Sequence, residues 1–221
     1  PQIFDRVLLD LGLSSDQLDE ALRGFSFLAD GPLDMRLDRR EPLTAEIILN
    51  EYSEQQIFVI FKKGGLGQES RALARAVVKS RPLHSTAEFR TLCQSVAPRR
   101  NTKHSGRARK DPATVPFQAL RMAVNRELES LESFLGRVLA YLKPGGRLAV
   151  ISFHSLEDKA AARTMRAWAK TPEVLRGVPT TGVLLGAGRI LTPKAICPSE
   201  AEVSVNPRAR SARMRVFEKL V

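Results

Sequence analysis

Apolar residues along this chain fall into two patterns: short continuous runs, and longer stretches in which they return every three or four positions. Asp5-Arg-Val-Leu-Leu-Asp-Leu-Gly-Leu-Ser-Ser15 is of the first kind and reads as a buried strand that runs directly into a loop. Arg147 to Phe153 is nearly all apolar, as a parallel strand covered on both faces should be. The periodic pattern begins at Thr44, a suitable N-cap, and places Ile47, Ile48, Tyr52, Ile57, Ile60 and Phe61 at helical spacing before Gly64-Gly65. Gln68 to Arg81 and Ser85 to Val96 predict two further short helices, the second opened by a capping box of Ser85 and Glu88. Pro116 to Leu142 predicts the longest helix, stopped by Pro144-Gly-Gly146. Ser155-Leu-Glu-Asp158 has capping-box spacing and opens a helix to Lys170, so strand, His154 turn and helix make one βα unit. Gly177 to Ser199 reads as irregular, and Val203 to Val205 and Ala212 to Glu218 predict antiparallel closing strands at the sheet edge.

These elements predict an α/β fold in which residues 1–43 and 107–221 form the α/β domain and residues 44–106 a small inserted helical domain. The first strand has no lead-in, and no Gly-rich phosphate or nucleoside turn precedes either strand. The expectation is therefore a partial sheet whose first strands lie outside the chain, with half of a cofactor site. Ser14 to Arg40, bearing Gly24-Phe-Ser-Phe27 and Asp30-Gly-Pro-Leu-Asp-Met-Arg36, is long and aromatic for a connection. It reads as a functional loop after a strand end, the alternative being a packed Ω-loop.

Charge narrows the class of partner. The 221 residues carry a net charge of +11, which in a domain of this size favours a polyanion, and nucleic acid over membrane. The excess is concentrated in Arg99 to Lys110, which contains Arg107 and Arg109, and in Arg208 to Arg215, which contains Arg208 and Arg210. Neither stretch holds an acid. No apolar run approaches the roughly 20 residues of a membrane helix. Cys93 and Cys197 lack partners at metal-ligand spacing, so neither zinc nor a disulfide framework is expected, and a reducing, cytoplasmic setting follows.

In doubly wound sheets ligands bind beyond the carboxyl ends of the strands. Asp10 to Ser15 follows the first strand and Phe153-His154-Ser155 the second. If those strands are neighbours, their loops face one crevice flanked by basic segments. Asp10 alone is as readily a cap or turn residue, and His154 alone a structural histidine; the pairing of the two loops is what suggests chemistry.

Gly24-Phe-Ser-Phe27, Asp30-Gly-Pro-Leu-Asp-Met-Arg36, Phe117-Gln-Ala-Leu-Arg121, Asn125-Arg-Glu-Leu128, Ser152-Phe-His-Ser-Leu-Glu-Asp158 and Asn206-Pro-Arg-Ala-Arg-Ser-Ala212 occur in that order. Together they resemble the bacterial ribosomal RNA small-subunit methyltransferase H family, also called MraW, over nearly the whole chain. The resemblance implies a class I, Rossmann-like methyltransferase sheet with a helical insertion and S-adenosyl-L-methionine as donor. It also implies N4-methylation of a cytidine in the decoding region of 16S ribosomal RNA, with the ribosomal RNA or the 30S subunit as partner. Carried over by position, the family's cofactor contacts fall on Asp10 and Gln17. About three further βα units, at roughly 30 residues each, would have to precede Pro1 to supply the rest of the donor site. Two departures touch substrate contact: Asp111 stands where the family usually has His, and Leu66-Gly-Gln-Glu69 replaces a Tyr-Gly-Glu-Glu turn.

Within that resemblance, acceptors for the protons of the reacting amine are sought at Asp10 and around Ser14, Ser152, His154 and Ser155. Phe153, Phe25 or Phe27 would stack on the target base, the last two being equally readable as core. Asp34 and Arg36 would read its edge or nearby phosphates, while Arg107, Arg109, Arg208 and Arg210 would meet RNA. The competing reading is a non-catalytic RNA-binding or ribosome-assembly module without a donor site. DNA methylation at a cytosine or adenine amine is disfavoured, because Asp10-Leu-Gly-Leu-Ser-Ser15 replaces the Pro-Pro-aromatic motif that chemistry would show.

Overall fold

The protein is described by a computed structural model for residues 3–97, 111–170 and 186–221. By packing, the chain divides into one compact unit of Pro1–Gly12 with Leu128–Val221 and a second of Leu13–Glu127.

The first unit is built on a four-stranded sheet in the order β1-β2-β4-β3, with β1 at Phe4–Asp10, β2 at Leu142–Ser152, β3 at Gly188–Ile190 and β4 at Arg213–Lys219. β1 and β2 run parallel with Asp10 opposite Ile151, while β4 is antiparallel to both β2 and β3. Helix α7 (Glu127–Val138) leads into β2, and α8 (Ser155–Ala169) leaves it. Leu131 and Leu135 of α7, Leu148 and Val150 of β2, Ala161 and Met165 of α8 and Phe217 of β4 form one core. Trp168 meets Phe217 edge-on, with centroids 5.1 Å apart. The buried Lys219 is satisfied by the carbonyls of Leu139 and Leu142, both at 2.9 Å, since a buried ammonium without acceptors would be strongly unfavourable.

The second unit is helical. It comprises α1 (Ser15–Asp19), α2 (Ala45–Glu51), α3 (Glu54–Lys63), α4 (Glu69–Lys79), α5 (Thr86–Val96) and α6 (Thr114–Asn125). Its core joins Ile48, Ile57, Phe61, Leu73 and Val77 to Phe25, Leu33 and Met35, so the 24–36 loop packs together with the inserted helices. The rings of Phe27, Phe117, Phe89 and Phe61 follow one another at 4.9, 5.1 and 6.2 Å. Both aromatic residues of Gly24-Phe-Ser-Phe27 are thus packing residues, and a Cβ at Gly24 (φ 68°) would stand 2.0 Å from the Pro32 carbonyl.

Several expectations are corrected. The opening strand, read as buried, leaves Phe4 and Leu8 46% and 66% exposed at the edge of the four-stranded sheet. Thr44 to Gly65 holds two helices, because Ser53 forms its own capping box with Gln56 and starts α3. Pro116 to Leu142 also breaks, into α6 and α7, at Arg126 in the left-handed region (φ 51°). Pro144-Gly-Gly146 lies inside β2 at a register irregularity, with Gly145 at φ 77°. Val203 to Val205 belongs to a short helix, α9 (Glu200–Val205), whose N-cap Ser199 accepts from the Glu202 N–H. The last strand is not at the edge: β3, from a stretch read as irregular, pairs outside it.

Candidate functional site

The parallel pairing of β1 and β2 brings their carboxyl ends side by side. Leu11 N–H donates to the Ile151 carbonyl at 3.0 Å, so the pairing continues one residue past Asp10. Asp10 is exposed and, among the described residues, its carboxylate makes no hydrogen bond or ion pair. Gly12 adopts φ 101°, and a Cβ there would meet Phe153 Cδ2 at 3.4 Å. A side chain at this position is opposed by the backbone conformation more than by space. Phe153, the first residue after β2, is 37% exposed. An open carboxylate and an open aromatic ring thus stand on the two adjoining strand-end loops.

The turn carrying Phe153 is held by α8. The N-cap of α8 is His154, not Ser155 as its spacing suggested, and His154 Nδ1 accepts from the Glu157 N–H at 3.4 Å. An accepting Nδ1 places the proton of the neutral ring on Nε2. That nitrogen lies 3.2 Å from Glu157 Oε1 but off the line of a hydrogen bond, and it is buried without a hydrogen-bond partner among the described residues. Glu157, 3% exposed, accepts from the Phe153 N–H through Oε2 at 3.1 Å. Ser152 is buried, and its hydroxyl donates to the Arg213 carbonyl at 3.4 Å. Asp158 accepts from Arg215 at 2.6 and 3.0 Å and from Arg213 at 3.4 Å. The Arg215 guanidinium holds Asp158 below the usual carboxylate range against the opposing effect of burial. Of the last-strand arginines, 213 and 215 therefore tie β4 to α8, while Arg208 and Arg210 sit exposed in the 3₁₀ turn Pro207–Ser211. Sequence reasoning missed Glu157 and Asp158. Their signal was two adjacent acids in a first helical turn, and Arg213 and Arg215 two apart on one strand.

The remaining candidates with described positions lie in the second unit. Ser14 caps α1, accepting from the Gln17 N–H, while Gln17 Oε1 accepts from the Ser14 N–H at 3.1 Å. Among the described residues the amide nitrogen of Gln17 has no partner and can donate to a ligand. Asp34 and Arg36 form a two-pronged pair at 2.7 and 3.1 Å, and Arg36 Nη1 also donates to the carbonyls of Arg39 and Glu41. Burial works against the Asp34 carboxylate, but its bonds from Arg36 outweigh it and lower the pKa. Asn125 closes the same loop: its Nδ2 donates to the carbonyls of Met35 and Arg121 at 2.8 Å, and its Oδ1 accepts from the Leu37 N–H at 2.7 Å. Asp111 pairs with Arg90 at 2.8 Å and accepts from Gln94 at 3.2 Å. Arg107 and Arg109 lie outside the described residues.

A family model for the MraW methylase family matches residues 2–220. The chain belongs to the MraW methylase family. Among the curated members, proteins named ribosomal RNA small subunit methyltransferase H are 46% identical over 217 residues in a Cyanothece species and 47% over 219 residues in Xanthomonas euvesicatoria. A third, from Polynucleobacter necessarius, is 47% identical over 221 residues. Each alignment takes in 98% of this chain, and respectively 66%, 63% and 68% of the relative. The chain thus spans about two thirds of the length of these members. Membership agrees with the mixed sheet, and Ser152 to Asp158 is the segment that builds the turn after β2.

Proposed function

We propose that the chain is the part of a ribosomal RNA methyltransferase that presents the target base, acting with S-adenosyl-L-methionine on N4 of a cytidine in the decoding region of small-subunit ribosomal RNA. The observation that carries this reading is the open pair of Asp10 and Phe153 at the carboxyl ends of parallel β1 and β2, in a member of a methylase family. Its setting would be the cytoplasm, where that RNA is found.

The donor supplies an activated sulfonium methyl. The exocyclic amine of cytosine is a poor nucleophile, because its lone pair is delocalised into the ring, so alignment and charge stabilisation dominate over base catalysis. Residues that would hold the donor are Asp10, through its free carboxylate, and Gln17, through its amide nitrogen. The base has to leave its stack, and the exposed ring of Phe153 offers it a face. As positive charge develops on the amine, the Asp10 carboxylate, unengaged among the described residues, would serve as an acceptor. In this reading Ser152 and His154 hold the turn, as do Asp34 and Arg36 their loop, and Arg208 and Arg210 meet RNA phosphates.

The test is methyl transfer from labelled S-adenosyl-L-methionine to small-subunit ribosomal RNA, followed by digestion to nucleosides. Label in N4-methylcytidine is the expected result, and label on another atom refutes the specificity. Tight RNA binding with neither donor binding nor transfer would favour the RNA-binding module instead.

A further inference from the structure

The outer face of α3 and α4 carries a basic strip that the strand-end site does not use. Lys62 and Lys63 close α3, and Arg71, Arg75 and Lys79 follow at four-residue steps on α4, about 6 Å apart along one side of the helix. All five are exposed. Lys62 Nζ and the Arg71 guanidinium converge on one ring, that of the half-buried Phe58, at 5.5 and 5.0 Å from its centroid. Among the described residues the one carboxylate paired with this set is Glu54, 3.8 Å from Arg75. Attraction to the ring face draws both cations in, while their mutual repulsion is relieved by an anion placed between them.

We infer that this face is a docking strip for the phosphate backbone of the RNA substrate, an inference that rests on the reading of the chain as a ribosomal RNA methyltransferase. Repeating single positive charges along α4 suit repeating single negative charges along a strand. The Phe58 ring lies beneath its two cations and is not free to stack a base, so the strip positions RNA without reading its sequence.

The experiment compares the unsubstituted chain with Lys62→Gln/Arg71→Gln, and with a fourfold variant adding Arg75→Gln and Lys79→Gln. Affinity for purified small-subunit ribosomal RNA is measured as a function of salt, with circular dichroism confirming the fold. The double variant should bind about tenfold more weakly and flatten the slope of log affinity against log salt by about one to two units, the fourfold variant by about three. The loss should be equal for an RNA of scrambled sequence, and Arg137→Gln/Lys159→Gln on the other unit should leave the slope unchanged. An unchanged slope in the fourfold variant, while the unsubstituted chain still binds, overturns the strip and leaves the methyltransferase reading standing. An equal loss in the Arg137/Lys159 control overturns it as well. Failure of the unsubstituted chain to bind the RNA overturns both.

Discussion

The loop at residues 24–41 and the turn at residues 152–158 both carry motif residues, yet they use their polar groups in opposite ways. In the loop, several polar side chains are spent on the backbone: Arg36 meets Asp34 and two carbonyls, Arg23 donates to the carbonyls of Arg36 and Leu37, and Asn125 fastens Met35 and Leu37. In the turn, the inward groups are Ser152, Glu157 and Asp158, and what they hold in place is the exposed ring of Phe153 beside the unpaired Asp10. Motif residues therefore include groups engaged in bracing the backbone as well as groups left open.

The contrast can be broken most forcefully at Asp158. Asp158→Ala leaves Arg215, itself largely buried, without its partner and should cost about 3 kcal/mol, read as a lower urea midpoint. A full-strength β4–α8 junction in that variant would remove the support assigned to the turn. Asn125→Ala strips a backbone N–H and a carbonyl of their partner in the loop and should cost about 2 kcal/mol, with RNA-independent donor binding unchanged. Phe153→Ala should leave stability nearly intact but lower methyl transfer about tenfold or more, with donor affinity within about twofold. Equal loss of both would end the stacking role.

Acid should act on both regions. Asp34 and Asp158 have folded-state pKa values below their ordinary value of 3.8, so the folded form binds fewer protons than the unfolded chain. Their contribution is complete above about pH 5 and is lost as pH falls through and below 3.8; a denaturation midpoint flat from pH 7 down to 3 would contradict the pairing. The smallest effect is expected at Arg40, whose side chain is 90% exposed and which, among the described residues, pairs with Asp38 alone. Arg40→Ala should shift stability by less than about 0.5 kcal/mol.

Much of the helical unit was legible because its signals are local. Thr44 and Ser85 cap α2 and α5 as their spacing implied, and Glu88 completes the second box. What failed depended on distant partners. Nothing near Arg126 announces a left-handed residue: Arg121 reaches across the break to Glu127, and Asn125 is turned toward a loop some ninety residues away. Pro144-Gly-Gly146 looks like a helix stop, and pairing with β1 makes it part of a strand instead. Ser155 satisfies the capping-box pattern, but the preceding His154 occupies the cap. At the site, the juxtaposition of Asp10 and Phe153 followed from the parallel-strand reading, whereas the supporting roles of Glu157, Asp158 and Arg215 required a register that spacing alone does not give.

One consequence concerns the order of events as the chain folds. Asp10 finds its strand partner Ile151 only across the whole intervening stretch, while Leu13–Glu127 is a single contiguous piece whose core, among the described residues, is drawn from that piece alone. Loop-closure entropy rises slowly with length, and a stretch already condensed shortens the gap further. The helical piece should therefore gain amide-exchange protection first, and the union of β1 with β2 should appear as a later kinetic phase that slows when that piece is destabilised.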